Sequence, residues 1–510
     1  MNDMAGPVRN AGTRQRERLI VVSNRLPFSF RRDDAGSWRA EPASGGLVTA
    51  LMPVLRHRGG VWIGWTGASG EDAGLAPAPD LAGQGAGFTL KSVPLSVEEV
   101  HDFYLGFSNE IIWPLFHDLQ SLCNFEPAYW RAYRDVNRRF AEVVAGNAEP
   151  GDFIWVHDYH LMNVAGELRR AGVRSRVGFF LHIPFPSPDL FLKLPWRREV
   201  LQSLLEFDLI GFQTQRDRRN FVQCVRALVK DAGIEGRGQV LLVSALGRVV
   251  RVGSFPISID YNTFMRRAAA SDVAERAREL HRLLPNRRLI LGVDRLDYTK
   301  GIPLRLKAFQ SLLSRFPELR ERVSYIQVVV PSREDIPRYQ ELKTEIEQLV
   351  SKINGSFVHP GGWVPVWYVY RSLSRLDLLA YYRAADIALV TPLRDGMNLV
   401  AKEYCACSIE EDCALILSEF AGAAAQLGRS ALLVNPYDIE GVADAIHRAY
   451  HMGKSERQAR MRRMRRAIRE YDVFWWVDSF LRAAITKDLG AFPQPQSYVA
   501  DEHADYSLSF

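Results

Sequence analysis

Two cations lie five residues apart just past an apolar run, where RLILGVD (288–294) leads into Arg295-Leu296-Asp297-Tyr298-Thr299-Lys300-Gly301. On a strand-exit loop that spacing suits a diphosphate, since each charge-assisted hydrogen bond to one contributes about 1.5–3 kcal/mol. The competing role is structural, with Arg295 paired to Asp294 or Asp297, and spacing alone does not choose. A second run, YIQVVV (325–330), ends in Pro331-Ser332-Arg333, another guanidinium at the same kind of exit. The strongest segment is IALVTPLRDGMNLVAKEY, in which a strand ends at Thr391, Arg394-Asp395-Gly396 make a turn and a helix begins near Asn398. The free N–H groups and dipole of a helix start favour an anion there. Glu403 follows Asp395 by just over two helical turns, so its carboxylate suits the vicinal hydroxyls of a ribose.

The first half carries a different chemistry. Asn24-Arg25 follows the run LIVVS, and Ser44-Gly45-Gly46-Leu47 opens a helix. The two glycines there either expose backbone N–H groups to a bulky anion or make a tight turn. WVHDYH ends a strand with His157, Asp158, Tyr159 and His160, and FFLHIPFP ends another with His182. A strand-end histidine is more often structural than catalytic. Tyr104 and Trp113, nine apart in YLGFSNEIIW, read as core when taken alone. The chain has no G-x-G-x-x-G or Walker A pattern, which lowers the nicotinamide and P-loop readings. It also shows no Ser-His-Asp order, metal-spaced cluster or evident covalent nucleophile. Cations, anion-receptive helix starts and hydroxyl-binding carboxylates together suit phosphate groups and a polyol.

The elements that must position these residues are legible from periodicity. Short, uniformly apolar runs recur at 19–23, 61–65, 153–158, 177–183, 209–213 and 240–243, then at 288–294, 325–330, 387–390, 414–418 and 431–434. Such runs are strands covered on both faces, and helix-period segments separate them. Strand–helix alternation of this kind makes parallel α/β sheets with right-handed crossovers. Two series are too many for one open sheet, so the expected architecture is two doubly wound domains, 18–258 and 259–471, joined near FPISIDYN. The segment 472–486 is apolar on more than one face and is expected to pack back across the first domain. Residues 1–17 and 487–510 read as loose tails.

Composition excludes several classes. With 510 residues, 47% hydrophobic and 24% charged, the chain is an ordinary globular one with room for two to four domains. No run reaches the length of a membrane helix and no secretory leader is visible, which makes the cytoplasm the expected compartment with no membrane partner. Five cysteines without a regular framework suggest reduced thiols, and C-x-C-x5-C at Cys405, Cys407 and Cys413 matches no common zinc spacing. The net charge of +6 comes from seven arginines between Arg457 and Arg469. Met461, Met464 and Ile468 form an apolar stripe among them, so the expectation is the solvated face of a packed helix rather than a nucleic-acid patch. Aromatics near Trp475 and Trp476 are expected to be exposed and available for a subunit contact in a homo-oligomer.

These segments together resemble the retaining glycosyltransferases that make trehalose 6-phosphate. The resemblance runs from about Leu19 to Phe480 through VVSNRLP, SGGL, FSNEIIWPLFH, HDYHL, GFFLHIPFPSP, FPISID, DRLDYTKG, PSRED and TPLRDGMNLVAKEY, in order. It implies two Rossmann-like domains in a GT-B arrangement with the catalytic cleft between them. UDP-glucose would be the donor and glucose 6-phosphate the acceptor, with no metal and no other cofactor. Carried onto this sequence, Arg295 and Lys300 would hold the donor diphosphate, with Gly45 and Gly46 approaching from the opposite domain. Asp395, Gly396, Met397 and Asn398 would bind the donor glucose, Leu399 and Val400 would offer backbone groups, Glu403 the ribose contact, and Leu373 would line the nucleotide. His182 would contact the donor sugar. Arg25, Tyr104 and Arg333 would grip the acceptor phosphate, Asp158 its sugar hydroxyls, and Trp65 and Trp113 would wall its pocket. Two alternatives share the scaffold, namely glucosyl transfer to glycerol 3-phosphate from ADP- or UDP-glucose, and a catalytically silent sugar-phosphate sensor.

Overall fold

The computed structural model describes residues 18–32, 38–42, 47–48, 51–52, 55, 59–68, 87–333, 336–358 and 362–485. Gly45, Gly46 and both expected tails lie outside the described residues. Strands form where the uniformly apolar runs predict them, because parallel strands are buried on both faces. Every residue of Val61–Trp65, Phe153–His157, Leu209–Phe212 and Ile387–Val390 is buried.

Two parallel α/β sheets result. The first runs in the order Thr89–Ser92, Val61–Trp65, Leu19–Arg25, Phe153–His157, Arg176–Phe180, Leu209–Phe212, Arg248–Ser254, with Val240–Ala245 and Gly233–Glu235 added antiparallel at the edge. The second runs Val366–Tyr370, Val323–Val330, Arg288–Arg295, Ile387–Val390, Ala414–Ser418, Leu432–Val434, parallel throughout. Each sheet's first six parallel strands, numbered along the chain, lie in the order 3-2-1-4-5-6. Strand order therefore reverses beside Leu19–Arg25 in the first sheet and beside Arg288–Arg295 in the second. Ligands of doubly wound sheets sit at these reversals, outside the carboxyl ends of the strands. Arg25 and Asp158 flank the first reversal, and Arg295 and the 391–398 turn flank the second.

Alternate residues of Phe153–His157 feed two cores. Ile154 and Val156 join the core under the helices of the first domain, while Phe153 and Trp155 join a cluster that continues into the second domain. The helix Val473–Ile485 bridges the two: it follows the second sheet in sequence and seats on the first. Phe480 stacks on Trp155 at 4.4 Å, above strand residues Gly178 and Gly211. A Cβ at Gly211 would lie 2.7 Å from the Phe480 ring, so the strand must be bare there. Trp476 is fully buried against Trp155 at 5.1 Å, which corrects the expectation of an exposed aromatic serving a subunit contact. Phe474, at 43%, is the exposed large hydrophobic among the described side chains of this helix. Trp476→Ala is expected to cost about 3–5 kcal/mol. A lower urea midpoint would register it, and an unchanged midpoint would mean the helix does not hold to the sheet.

The arginine-rich helix Lys454–Glu470 also departs from expectation. Its stripe of Met461, Met464 and Ile468 is buried, but several arginines are not solvated. Arg465 donates to the carbonyls of Cys405, Ala406 and Ser408, Arg457 pairs with Asp412 at 2.7 Å, and Arg460 and Arg463 hold Ser430. Cations at the carboxyl end of the helix Leu399–Cys407 complement its dipole and satisfy its last carbonyls.

Candidate active site

Arg295 ends its strand with its neighbouring carboxylates already engaged. Asp294 is held by Arg305 at 2.5 Å, and Asp297 pairs with Arg333 at 3.6 Å. Among the described residues Arg295 makes no ion pair or hydrogen bond, so the structural role weighed for it falls away. Lys300 instead donates to Asp395 at 2.5 Å, tying two strand-exit loops together. Burial would raise the Asp395 pKa, but Lys300 outweighs it and keeps the carboxyl below its ordinary value. The backbone N–H of Leu393 donates to Thr299 at 2.8 Å and fixes the same two loops in register.

Past Asp395 the helix Leu399–Cys407 begins at Asn398, whose φ of 70° is left-handed and whose side chain makes no cap. Its first N–H groups are therefore open toward the rim. Met397 and Asn398 are buried, with Asn398 Nδ2 on Asp395 at 3.2 Å, and Leu399 and Val400 are half-buried. Glu403, one turn on, accepts the Tyr382 hydroxyl at 2.9 Å, and burial raises its pKa. Leu373 packs on the same hydrophobic cluster as Leu399 and Val400.

Across the cleft, Tyr104 gathers cations. Burial would raise the pKa of its hydroxyl, yet the charges of Arg333, Arg25 and Arg295 bring it below the ordinary value. Arg25 stacks over Trp65 at 3.9 Å and Arg333, from the other domain, over Trp113 at 4.6 Å. Tyr104 and Trp113 share a face because Val100–Ile112 is a π-helix. Nine residues make two and a half turns of an α-helix at ~3.6 per turn, which would set the rings on opposite sides. The wider i→i+5 winding brings nine residues close to two turns. Periodicity reading assumes the α-helical repeat, so the sequence signalled only core here. The indole Nε1 of Trp113 is buried without a partner among the described residues.

Asp158, at a positive φ of 74°, accepts the backbone N–H of His182 at 3.2 Å. Burial pushes its carboxyl up to about 7, against the pull of Arg295 and Arg333. Burial likewise lowers His182 to about 3, so its ring is neutral, with Nε2 at 3.2 Å from His157 Nδ1. Opposite it the peptide of His182 and Ile183 meets Gly396 so closely that a Cβ would overlap the His182 carbonyl. This contact brings the 394–398 turn of the second domain against the strand end at His182 of the first.

The structure thus joins Arg25, Trp65, Tyr104, Trp113 and Arg333 into one cluster, Lys300, Asp395, Met397 and Asn398 into another, and His182 with Asp158 between them. Three further residues escaped the sequence reading. Arg305 is fully buried, bonding Asp294, Thr391 and the Lys300 carbonyl. Its signal was an arginine on the apolar face of Ile302–Arg315. Arg394 reaches across the cleft to Asp118 at 3.5 Å and Asp217 at 4.0 Å. Lys402, fully buried, donates to the Ile257 carbonyl of the interdomain link at 2.7 Å. Among the described residues one set of three metal-type donors converges, Glu318, His447 and His451. It lies beyond the far end of Ile302–Arg315, about 25 Å from the Lys300 loop at ~1.5 Å per residue, and no site residue belongs to it.

Residues 17–485 match the family model of glycosyltransferase family 20. The chain belongs to this family. Its curated relatives include the trehalose-6-phosphate synthases of Mycobacterium marinum, 45% identical over 91% of this chain and 93% of that one, and of Mycobacterium tuberculosis, 44% identical over 94% and 96%. Among solved structures, the α,α-trehalose-phosphate synthase (UDP-forming) of Burkholderia xenovorans in complex with glucose-6-phosphate superposes with a TM-score of 0.82. It is 38% identical and covers 92% of this chain and 99% of its own. A structure from E. coli bound with UDP-2-fluoro glucose gives 0.82 at 36% identity, covering 92% and 99%. The two parallel α/β domains of this chain have the GT-B arrangement of these neighbours. No helix among the described residues is long and apolar enough to cross a membrane.

Proposed function

We propose that this family 20 enzyme transfers glucose, with retention, from UDP-glucose to glucose 6-phosphate, giving α,α-trehalose 6-phosphate and UDP. The observation that carries the reading is a pair of neighbouring anion sites in the cleft: Arg25 and Tyr104 of the first domain met by Arg333 of the second, and beside them unpaired Arg295, Lys300 on Asp395, and an uncapped helix start. One phosphate comes from the acceptor and the other is the departing diphosphate. Relatives named trehalose-6-phosphate synthase favour glucose 6-phosphate over glycerol 3-phosphate as acceptor.

In this mechanism residues 18–258 bind the acceptor, 259–471 bind the donor, and 472–486 brace the first lobe. Arg25, Tyr104 and Arg333 hold the acceptor phosphate between Trp65 and Trp113, and Asp158 binds its hydroxyls. Asp395 to Asn398 hold the donor glucose, Leu399 and Val400 give backbone contacts, Glu403 takes the ribose, and Leu373 lines the nucleotide. The diphosphate contact read from the sequence for Gly45 and Gly46 is part of the same proposal. The donor phosphate oxygen takes the acceptor's proton on the face it leaves, which accounts for retention without a protein nucleophile. His182, neutral, donates or accepts a hydrogen bond to the sugar without supplying a charge. Arg295 and Lys300 neutralise the diphosphate as charge develops, so no metal is required. All five cysteines are free, in keeping with a reducing, cytoplasmic setting.

The test is UDP release on mixing UDP-glucose with glucose 6-phosphate, with the anomeric configuration of the product read by NMR and the assay repeated in EDTA. ADP- and GDP-glucose, and glycerol 3-phosphate, serve as competitors. Release only with glycerol 3-phosphate, or an inverted product, would overturn the reading. Asp158→Asn separates binding from stability. The native carboxyl holds its proton more tightly than an unfolded one (~3.9), so its ionisation costs stability from about pH 4 upward and fully above about 7. The amide removes that cost. The variant should melt higher than the parent at pH 8 and equally at pH 4, while its KM for glucose 6-phosphate rises at least about tenfold. A lower melting point at pH 8 would contradict the assignment.

A further inference from the structure

The first sheet carries a second polar site at the opposite end from the cleft. Arg176–Phe180, Leu209–Phe212 and Arg248–Ser254 are adjacent and parallel, and the residues at their starts surround a surface depression of about 420 Å³. Arg169, Arg174, Arg176 and Arg248 line it against a single carboxylate, Asp208. From Arg176 to His182 the chain travels about 20 Å at ~3.3 Å per residue, so this site is separate from the catalytic rim.

The charges do not balance. Asp208 is engaged by Arg169 at 2.7 Å, Arg248 at 3.2 Å and the N–H of Val177 at 2.8 Å. Glu206, at 3.7 Å from Arg248, is the other nearby carboxylate. Arg174 is exposed and makes no ion pair or hydrogen bond among the described residues. Arg169 and Arg248 are better satisfied: beyond Asp208, Arg169 donates to the carbonyls of Val173 and Ser175 and Arg248 to that of Glu206, leaving only their buried Nε atoms without an acceptor among the described residues. Burial, and then the like charge of neighbouring Arg176, lower the Arg251 pKa. Both donate to the last carbonyls of the helix Val473–Ile485, Arg176 on Ala484 at 3.3 Å and Arg251 on Ala483 at 2.6 Å, and Asp208 partly offsets the charge of Arg251.

We propose that this depression binds a phosphate dianion, free or as a small phosphomonoester, and that the anion competes with the carboxyl end of the helix Val473–Ile485 for Arg176. Guanidinium forks match phosphate oxygens, and a compact dianion supplies a partner for Arg174 and offsets the like charges of Arg176 and Arg251. The helix connects the depression to the cleft, because Trp476 packs at 6.3 Å from His157 and 6.1 Å from His182. Drawing Arg176 off Ala484 therefore loosens an element that backs the catalytic histidine.

Calorimetric titration of the full chain with inorganic phosphate at low salt tests this, with potassium chloride at matched ionic strength as the control. Two classes of site are expected, one at the catalytic rim and one here. Arg174→Glu, at an exposed residue outside the catalytic machinery, and separately Arg176→Gln, should each weaken one class at least tenfold and leave the other intact. A parallel titration with ribose 5-phosphate distinguishes the sources: tighter binding of the ester identifies a sugar phosphate, and equal binding the free ion. Hydrogen exchange at residues 483–485 should speed up on adding phosphate in the parent but not in Arg174→Glu. A single class of site, two classes untouched by both substitutions, or unchanged exchange would overturn the proposal. None of these readouts depends on glucosyl transfer.

Discussion

Arg295→Ala is expected to lower kcat by about 10²–10³-fold, the loss seen when a preorganised donor to a developing oxyanion is removed. The affinity for UDP should fall by less than about tenfold, because the interaction strengthens as the glycosidic bond breaks and is weaker in the ground state. The variant is a clean one. Arg295 makes no ion pair or hydrogen bond with another described residue, since Asp294 belongs to Arg305 and Asp297 to Arg333, and only its charge is felt at Tyr104 and Asp158. Steady-state turnover and calorimetric UDP binding read the two quantities separately. Near-normal turnover, or a loss confined to binding, would remove Arg295 from the transition state. Arg295→Lys restores a point charge without the fork and should recover only part of the rate.

Gly396→Ala should be nearly as damaging for a purely steric reason. Its Cβ would overlap the carbonyl oxygen of His182 and approach Ile183 Cα at 3.0 Å. Both are backbone, so neither can swing aside as a flexible side chain would. The turn cannot retreat either, because Gly422 already packs against the Gly396 carbonyl so tightly that a Cβ on it would overlap that oxygen. The two lobes must separate by a fraction of an ångström to 1 Å, which misplaces the donor turn against the acceptor and costs about 10²-fold in kcat/KM. The fold of each lobe should survive, with circular dichroism and UDP affinity near those of the parent. Activity within threefold of the parent would show that the lobes do not meet at this glycine during turnover.

Much of the architecture was legible in one dimension. Runs such as FIWVH and IALV are apolar at every position, and only strands covered on both faces need that pattern. The helix starts and the strand-exit cations were likewise readable, because residue type and local spacing determine them. The reading failed where the period or the partner was not local. Tyr104 and Trp113 looked like core because an α-helical repeat was assumed for a π-helical segment. Trp476 looked exposed because its partner Trp155 lies more than 300 residues away in sequence. The arginines of Lys454–Glu470 looked solvated because the carbonyls they satisfy belong to another helix.

By itself, then, the sequence determined the inventory: which strands form, which side chains stand at their carboxyl ends, and what chemistry those groups can perform. Tertiary structure alone decided the allocation. Whether Arg295 was free or paired depended on Arg305 and Arg333 reaching the two aspartates first. Whether Arg25, Tyr104 and Arg333 made one site depended on two sheets placing their points of strand reversal face to face. Charges act over a few ångströms of space regardless of chain separation, so their partners follow from the packing of the sheets and cannot be counted along the chain.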